Sequence, residues 1–518
     1  MAEGRRGGRI LQNTMKRDFD RWVVTFAGLV FIAGLALRLR LAGITYLNPD
    51  EAEHALQSFG SGDGVLGNSL KLAHPPLLIL ITHAVSLISR SELALRAIPL
   101  LAGSLFPLVF AAWLRRVAGT MVGLAALFLL TLAPNLINLS AELRSYTLAF
   151  LFLSASLLVL EEALEHDRWQ AMALYGFLLW LCILSDYSMA WFVGAAGLYA
   201  LLRLRSASVR VRTVWAAGQL GALALYGLLY ITQMSSISAI GVMQEGVPSW
   251  LYRAFPHPGE MLAFPFVNTL KQFAYLMASV PLSVPASVFF AIAVFRLWTG
   301  RTGIERSRAR ALAVLLVVPF ALAIAGAYAH QFPYGRTRHT LVTGLFGAAG
   351  MAILLEKVPR RTATAILSCA LLLVPLWHWI AERDVLGIGS DRNRKVMILQ
   401  SLDYMRTMIP PGTRILSEYE TLFVLAYYEG DNELPSHGAA ESYSETLLGR
   451  RWPVASLDYE WATPGAYKAA LAAFRRQYGI GENEPVWVLD GGWVAESEPA
   501  DEKLPFTRAV RVFRAIGR

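Results

Sequence analysis

Between an apolar run that ends at Ala42 and the pair Pro75-Pro76 lies a polar stretch, Tyr46–Pro76, reading YLNPDEAEHALQSFGSGDGVLGNSLKLAHPP. Asp50 and Glu51 are adjacent in it, Glu53 and His54 come next, and Lys71 and His74 close it. A carboxylate placed there can take a proton from a hydroxyl as that hydroxyl attacks an anomeric carbon, and the nearby cations can hold a charged group. One carboxylate suffices for a single inverting displacement, whereas paired acids serve hydrolysis. His54 falls four residues after Asp50 and would share its helix face. The same residues would also make an ordinary wet loop with a helix capped at Asp50, so their meaning depends on what the fold sets beside them.

Two further sets are candidates. Glu142, Arg144 and Tyr146 lie in AELRSY, and Asp186 lies in SDY; the two acids could assist the first pair or hold a divalent metal on oxygen ligands. Arg336, Arg338 and His339 lie in FPYGRTRH. Together with Lys71 and Arg144 they suit a phosphate or pyrophosphate, arginine giving bidentate bonds. A span-end arginine taken singly would more simply anchor lipid head groups. No H-x-x-x-H pair or third ligand accompanies His54, which argues against zinc catalysis.

The elements that must position these residues are apolar helices. Of 518 residues 55% are hydrophobic and only 16% charged, with a mean hydropathy of +0.44. That deficit of charge, with apolar runs near 20 residues, predicts an α-helical polytopic membrane protein. The net charge of +9 is spread between the runs, so it reads as topology and not as a nucleic-acid surface. Cys182 and Cys369 both lie in apolar runs, which disfavours a disulfide or a zinc site.

About eleven spans are expected: Trp22–Ala42, Leu93–Leu114, Val117–Leu139, Tyr146–Leu160, Gln170–Leu184, Tyr187–Leu202, Thr213–Thr232, Phe273–Phe295, Ala311–Ala329, Thr340–Leu355 and Thr362–Ile380. Leu77–Ser89 is too short to cross and reads as a juxtamembrane helix. With it uncrossed, Arg115-Arg116, Arg203–Arg212, Arg296–Arg310 and Glu356–Arg361 all fall inside, as positive-inside placement requires. Glu161–Arg168 is an acidic misfit on that side. The polar stretch 43–76, the two further candidate sets and an amphipathic segment WLYRAFPHPGEMLAFPF then share the outer face.

The chain divides into a transmembrane part, 1–381, and a polar tail, 382–518. In the tail Asn393–Met408 has helical spacing, and Thr413–Ser417 and Val486–Asp490 read as strands, which predicts a small extracytoplasmic α/β domain.

The order of these pieces resembles the polyprenyl-phosphate-sugar-dependent membrane glycosyltransferases, glycosyltransferase family 39 and its bacterial relatives among protein O-mannosyltransferases and lipid A aminoarabinose transferases. NPDEAEHA running to KLAHPPL carries the likeness, followed by ELALRAIPLLAG, LAPNLINLSAELRSYTLAFLFLSAS, FPYGRTRHTLV and PPGTRILSEYETLFVLAYY. The resemblance implies a GT-C-like fold and a sugar donor on a polyprenyl phosphate, with membrane lipids around it. It also implies a bacterial cytoplasmic membrane with the site on the outer side. By family pattern Asp50 is the expected catalytic residue and Glu51 its neighbour. Lys71 falls near the lipid phosphate, Arg144 and Arg336–His339 match it more loosely, and His54, His74, Tyr146 and Asp186 are candidates for substrate contact. No cofactor is fixed by the resemblance, and a divalent metal stays open. Two departures bear on the acceptor, which is left open among protein, lipid and glycan: Leu78-Ile79 follow HPP where mannosyltransferases continue with Gly-Lys, and Asp186-Tyr187 stands where relatives carry a basic or His-Tyr pair. A second reading, a transporter or flippase of lipid-linked saccharides, accounts for the spans and arginines. It does not account for an acid-rich loop and a folded outer domain, and no paired halves are visible.

Overall fold

The computed structural model describes residues 2–60, 62–71, 75–235, 254–380, 394–430, 444–457, 466–491 and 510–515. Helix α1 (Ala2–Ile44) leads into the polar stretch, which forms two short helices, α2 (Pro49–Ser58) and α3 (Gly62–Lys71), and the apolar helix α4 (Pro76–Ser86) follows. Next in the chain are α5 (Glu92–Leu95), α6 (Ala97–Ala118), α7 (Thr120–Leu132), α8 (Pro134–Ala141), α9 (Tyr146–His166), α10 (Trp169–Ser185), α11 (Met189–Arg203) and α12 (Val209–Leu229). The second half of the membrane part holds α13 (Phe264–Met277), α14 (Val280–Thr299), α15 (Arg306–Tyr328), α16 (Leu341–Ile353) and α17 (Arg360–Ile380).

Among the described residues eight helices are long and apolar enough to cross a membrane, and the bent pair α7–α8 makes a ninth. The chain is a multi-pass membrane protein. The expected eleven is reached only by counting α10 and α11, which have 17 and 15 residues. Helix α4 has 11 residues, about 16 Å of rise, and falls well short of a hydrocarbon core about 30 Å thick. It is tied to α2 instead, through His83 Nδ1 and the Ser58 carbonyl at 2.8 Å.

Two breaks interrupt the apolar helices. Helices α7 and α8 meet at 59°. Pro134 forces Ala133 into an extended conformation, because its ring excludes the helical region for the preceding residue. The run Phe273–Phe295, expected as one span, is two helices: Ala278 ends α13 in the left-handed region at φ 47°, Ser279 is extended, and the span is α14. Hydropathy averages across such a break, since all the residues flanking it are apolar or small. The amphipathic segment Trp250–Phe266 lies partly outside the described residues; its last part starts α13.

The acidic misfit resolves. Glu161, fully buried, bonds Arg203 at 2.6 Å and Arg308 at 2.7 Å, while Arg116 reaches Glu162 at 2.8 Å and Glu165 at 2.7 Å. The helix ends carrying these arginines and acids therefore share one end of the bundle. Helix α9 runs 21 residues, about 31 Å, from that cluster to Tyr146 at the other end.

The tail holds α18 (Lys395–Met408), β1 (Ile415–Glu418), α19 (Tyr419–Glu429), β2 (Ser444–Leu448), β3 (Trp452–Leu457), α20 (Ala466–Tyr478), β4 (Val486–Asp490) and β5 (Arg511–Ala515). Its sheet has the order β2-β3-β1-β4-β5, with β3, β1 and β4 parallel and both edge strands antiparallel. The two strands and the helix expected from sequence are β1, β4 and α18. Helix α19 packs on α2: Tyr419, Leu422 and Phe423 share one buried cluster with Leu47, Ala52 and Leu56. Polar ties fix the docking. Tyr428 Oη accepts from the Leu47 N–H at 3.0 Å and donates to Glu92, which also binds Lys395 at 2.6 Å. Removing the hydroxyl leaves a buried N–H without an acceptor, so Tyr428→Phe is expected to cost about 1–3 kcal/mol. Thermal unfolding of the detergent-solubilised protein checks this; an unchanged midpoint would mean that the docking rests on apolar contact alone.

Candidate active site

Helix α2 begins at a capping box slightly earlier than the sequence pattern suggests. The cap is Asn48, not Asp50: Asn48 Oδ1 accepts from the Glu51 N–H and Glu51 Oε2 accepts from the Asn48 N–H, each at 3.1 Å. Pro49 fills the first helical position, where no N–H is needed. Asp50 and Glu51 then fall in the first turn, where the helix dipole favours carboxylates. Successive helical residues point about 100° apart, and the two acids meet different surroundings.

Glu51 points inward and is 1% exposed. Its Oε1 accepts from Arg96 Nε and from the Leu143 N–H, both at 2.7 Å; its Oε2 accepts from Arg96 Nη2 at 2.7 Å and from Asn48. Four donors fill the four lone-pair sites of a carboxylate. Arg96 spends its remaining N–H groups on the carbonyls of Ala42 (2.7 Å), Thr45 (3.0 Å) and Tyr46 (2.9 Å). One buried ion pair thus joins the end of α1, the cap of α2 and the loop between α8 and α9.

Asp50 points the other way and is partly exposed. Its Oδ2 accepts from Arg144 at 2.7 Å and forms an ion pair with Arg338 at 2.8 Å. Two regions expected from sequence to share the site, AELRSY and GRTRH, converge here on one oxygen. Arg144 is 4% exposed, and the Nε of both Arg144 and Arg338 is buried without a partner. His54 sits behind Asp50, its Nδ1 at 2.5 Å from the Asp50 carbonyl. A carbonyl only accepts, so Nδ1 carries the proton there. Burial first, and then the Arg144 charge, push the His54 imidazole down to about 4, so it is neutral at physiological pH. Tyr146 Oη and His339 Nδ1 lie 3.3 Å apart at the edge of the same cluster.

Beyond Arg338 opens a cavity of about 280 Å³ between α8 and the α13–α14 break, lined by Asn138, Glu142, Tyr275, Ser279, Arg336 and Arg338 among others. Burial, and then the nearby Glu51 charge, push the Glu142 carboxyl up to about 7. Arg336 is exposed at this cavity.

The remaining candidates divide. Asp186 accepts from the Ser188 N–H at 2.7 Å and so spends one oxygen on the turn into α11; burial raises its pKa, and it is near enough to feel Arg144. The backbone of Lys71 ends α3, its side chain lies outside the described residues, and so does His74. Among the described residues no group of three or more His, Cys, Asp and Glu side chains is gathered as metal ligands. Three residues were missed by sequence reasoning. Arg96 stands in ELALRAIP, a segment noted for its family likeness but not for its arginine. Asn138 is a polar residue inside an apolar run, and that was the available signal. Glu420 opens α19 in the tail; burial first, and then Asp50, push its carboxyl up to about 8, and Arg338 acts on it in the opposite direction. Nothing in the local sequence links it to Asp50.

A helical membrane part with a charged centre at one end, under a small mixed-sheet domain, is the architecture of the GT-C membrane glycosyltransferases. Residues 73–230 match the model of the dolichyl-phosphate-mannose-protein mannosyltransferase family. No curated protein matches the chain. Among solved structures, the fold is similar to ArnT from Cupriavidus metallidurans bound to undecaprenyl phosphate, with TM-score 0.51 and 13% identity over 91% of this chain and 93% of that one. It is also similar to the oligosaccharyltransferase AglB from Archaeoglobus fulgidus in complex with an inhibitory peptide and a dolichol-phosphate, with TM-score 0.51 and 12% identity over 91% of this chain and 69% of that one. The segment match and the shared fold agree with the resemblance read from sequence: one segment is similar to that family, and the fold is GT-C-like.

Two outcomes test the separation of the acids. Breaking a buried pair costs about 3–5 kcal/mol, so Arg96→Met should sharply lower the unfolding midpoint in detergent, whereas Asp50→Asn should leave it nearly unchanged. For Glu142 the folded carboxyl holds its proton to higher pH than the unfolded one, whose value is near 4.5. Stability from this group therefore falls as pH rises from about 4.5 to about 7 and is level above that. Glu142→Gln should flatten the unfolding midpoint between about pH 5 and about pH 7; equal slopes in variant and parent would refute the assignment.

Proposed function

We propose that this protein moves a sugar from a polyprenyl phosphate to an acceptor hydroxyl at the outer face of a bacterial cytoplasmic membrane, with inversion at the anomeric carbon. The observation that carries the reading is the pair Arg144 and Arg338: both hold one oxygen of Asp50 while each keeps a buried Nε without an acceptor. Unmet buried donors on two guanidiniums are what an incoming phosphate would satisfy, and charge-assisted bonds to phosphate are among the strongest available. The solved structures of similar fold that hold undecaprenyl phosphate and dolichol-phosphate support a lipid-linked donor.

In the reaction so drawn, the acceptor oxygen attacks the anomeric carbon and the bond from that carbon to the phosphate oxygen breaks. The lipid phosphate leaves as an anion, stabilised by Arg144, Arg338 and Arg336 in a poorly solvated cleft, and Lys71 remains a further candidate for that phosphate. Asp50 takes the proton lost by the acceptor. Glu51 does not touch the reacting atoms; it holds the backbone that aims Asp50. His54 supports the Asp50 backbone, Tyr146 and His339 flank the leaving phosphate, and His74 and Asp186 are the residues left as candidates for acceptor contact. The acceptor is a protein, lipid or glycan hydroxyl.

Asp50→Asn keeps size and hydrogen bonding but removes proton acceptance. Transfer from a radiolabelled polyprenyl-phosphate sugar in membranes should fall about 10²–10⁴-fold, the usual worth of a positioned base. Binding of the lipid donor should be nearly intact. Near-parental transfer by a folded, donor-binding Asp50→Asn protein would refute the role.

A further inference from the structure

We propose that the cavity behind Arg338 receives the sugar ring and that Asn138 reads its hydroxyls, which makes the donor sugar a neutral polyhydroxyl sugar and not a cationic amino sugar. The inference rests on the donor reading above and narrows it. Asn138 is 3% exposed, lines the cavity, and neither its Oδ1 nor its Nδ2 has a partner. An amide needs an acceptor for its N–H groups and a donor for its oxygen. A phosphate only accepts and would leave Oδ1 unmet. An ammonium turned to the amide only donates and would leave Nδ2 unmet, so the ring must present hydroxyls there; the case against an amino sugar is the charge of the wall. An isoprenoid chain would leave both unmet. A hydroxyl both donates and accepts, so a ring carrying several satisfies both atoms.

The size and charge of the site agree. At about 280 Å³ the cavity lies just under the range of about 300–1,000 Å³ usual for small-molecule pockets, which suits a single monosaccharide. It adjoins the Asp50 centre through Arg338, which lines it and pairs with Asp50 at 2.8 Å. Arg336 and Arg338 form part of the wall, so an ammonium there would meet two like charges. The Glu142 carboxyl on the same wall, partly protonated near neutral pH, can donate to a sugar oxygen as well as accept. Position also fits. Helix α8 carries Asn138, and the proline-induced bend before α8 turns this segment off the axis of α7.

The test measures binding to the purified full-length protein in nanodiscs of four lipids: undecaprenyl phosphate alone, and undecaprenyl phosphate carrying mannose, glucose or 4-amino-4-deoxyarabinose. The expected result is that at least one neutral-sugar lipid binds more tightly than the bare phosphate and than the amino-sugar lipid. Asn138→Leu should then weaken that lipid about ten-fold and leave the bare phosphate unchanged, which also reports that the variant is folded. Asn138→Asp, which adds a charge without changing size, should shift preference toward the amino-sugar lipid. The inference is overturned if Asn138→Leu weakens both lipids alike or neither, if no neutral-sugar lipid exceeds the bare phosphate, or if the amino-sugar lipid binds best to the parent. Failure of the bare phosphate to bind the parent would sink the donor reading itself, and this inference with it.

Discussion

The buried pair of Glu51 and Arg96 is the interaction on which the functional end of the molecule depends. Taking two charges out of water is costly, and their attraction offsets that cost only when the other lone pairs and N–H groups are met. Here they are met by backbone from three separate places: the end of α1, the first turn of α2 and the loop after α8. The pair therefore acts as a geometric lock more than as a source of stability. It fixes where α2 begins, and so which way Asp50 faces. Two adjacent acids come to have opposite duties because a helix turns them apart. One is saturated by donors; the other meets arginines at a partly open cleft.

The membrane constrains the rest. A lipid-linked substrate stays in the bilayer, so a site that uses it must lie where apolar helices end. Along α9 the acids of the Glu161 cluster lie about 22 to 28 Å from Tyr146 at the Asp50 end, close to one hydrocarbon thickness. The two polar clusters thus occupy the depths at which charges meet water or head groups. Space near the Asp50 cluster comes from helices that break: α7 into α8 at Pro134, and α13 into α14 at Ala278. Irregular backbone at membrane depth is tolerated where it lines a cavity, and the residues at and beside both breaks line this one.

Legibility in the sequence followed the same physics. Long apolar helices and two of the tail's five strands, β1 and β4, could be read because hydropathy and periodicity are local properties. Asp50, Arg144 and Arg338 could be gathered on one face because the placement of inner arginines orders the loops. The family likeness set Asp50 ahead of Glu51, but the physical reason was not legible, since nothing in DE says which acid faces a buried arginine 45 residues on. The run Phe273–Phe295 misled because a break made of alanine and serine leaves the mean hydropathy intact. Arg96 and Glu420 were invisible for a different reason: each has its meaning from a partner distant in the chain, and single-sequence patterns carry no such pairing.

The tail is more than a cap on this arrangement. Helix α19 lies on α2 through Tyr419, Leu422 and Phe423, and the Tyr428 hydroxyl accepts from the Leu47 N–H just ahead of the α2 cap. The tail thus holds the same turn that Arg96 holds from the membrane side, and α2 is clamped between them. Docking also brings Glu420 toward Asp50, where burial keeps it protonated well above the usual carboxylate range. A charged Glu420 would compete with Asp50 for Arg338. A protonated one leaves that guanidinium to Asp50, or to an anion that displaces it. Removing water over the cleft therefore sets the charge state of a group that would otherwise oppose the centre, which ties the presence of the tail's sheet domain to the electrostatics of a site built almost wholly from the membrane part.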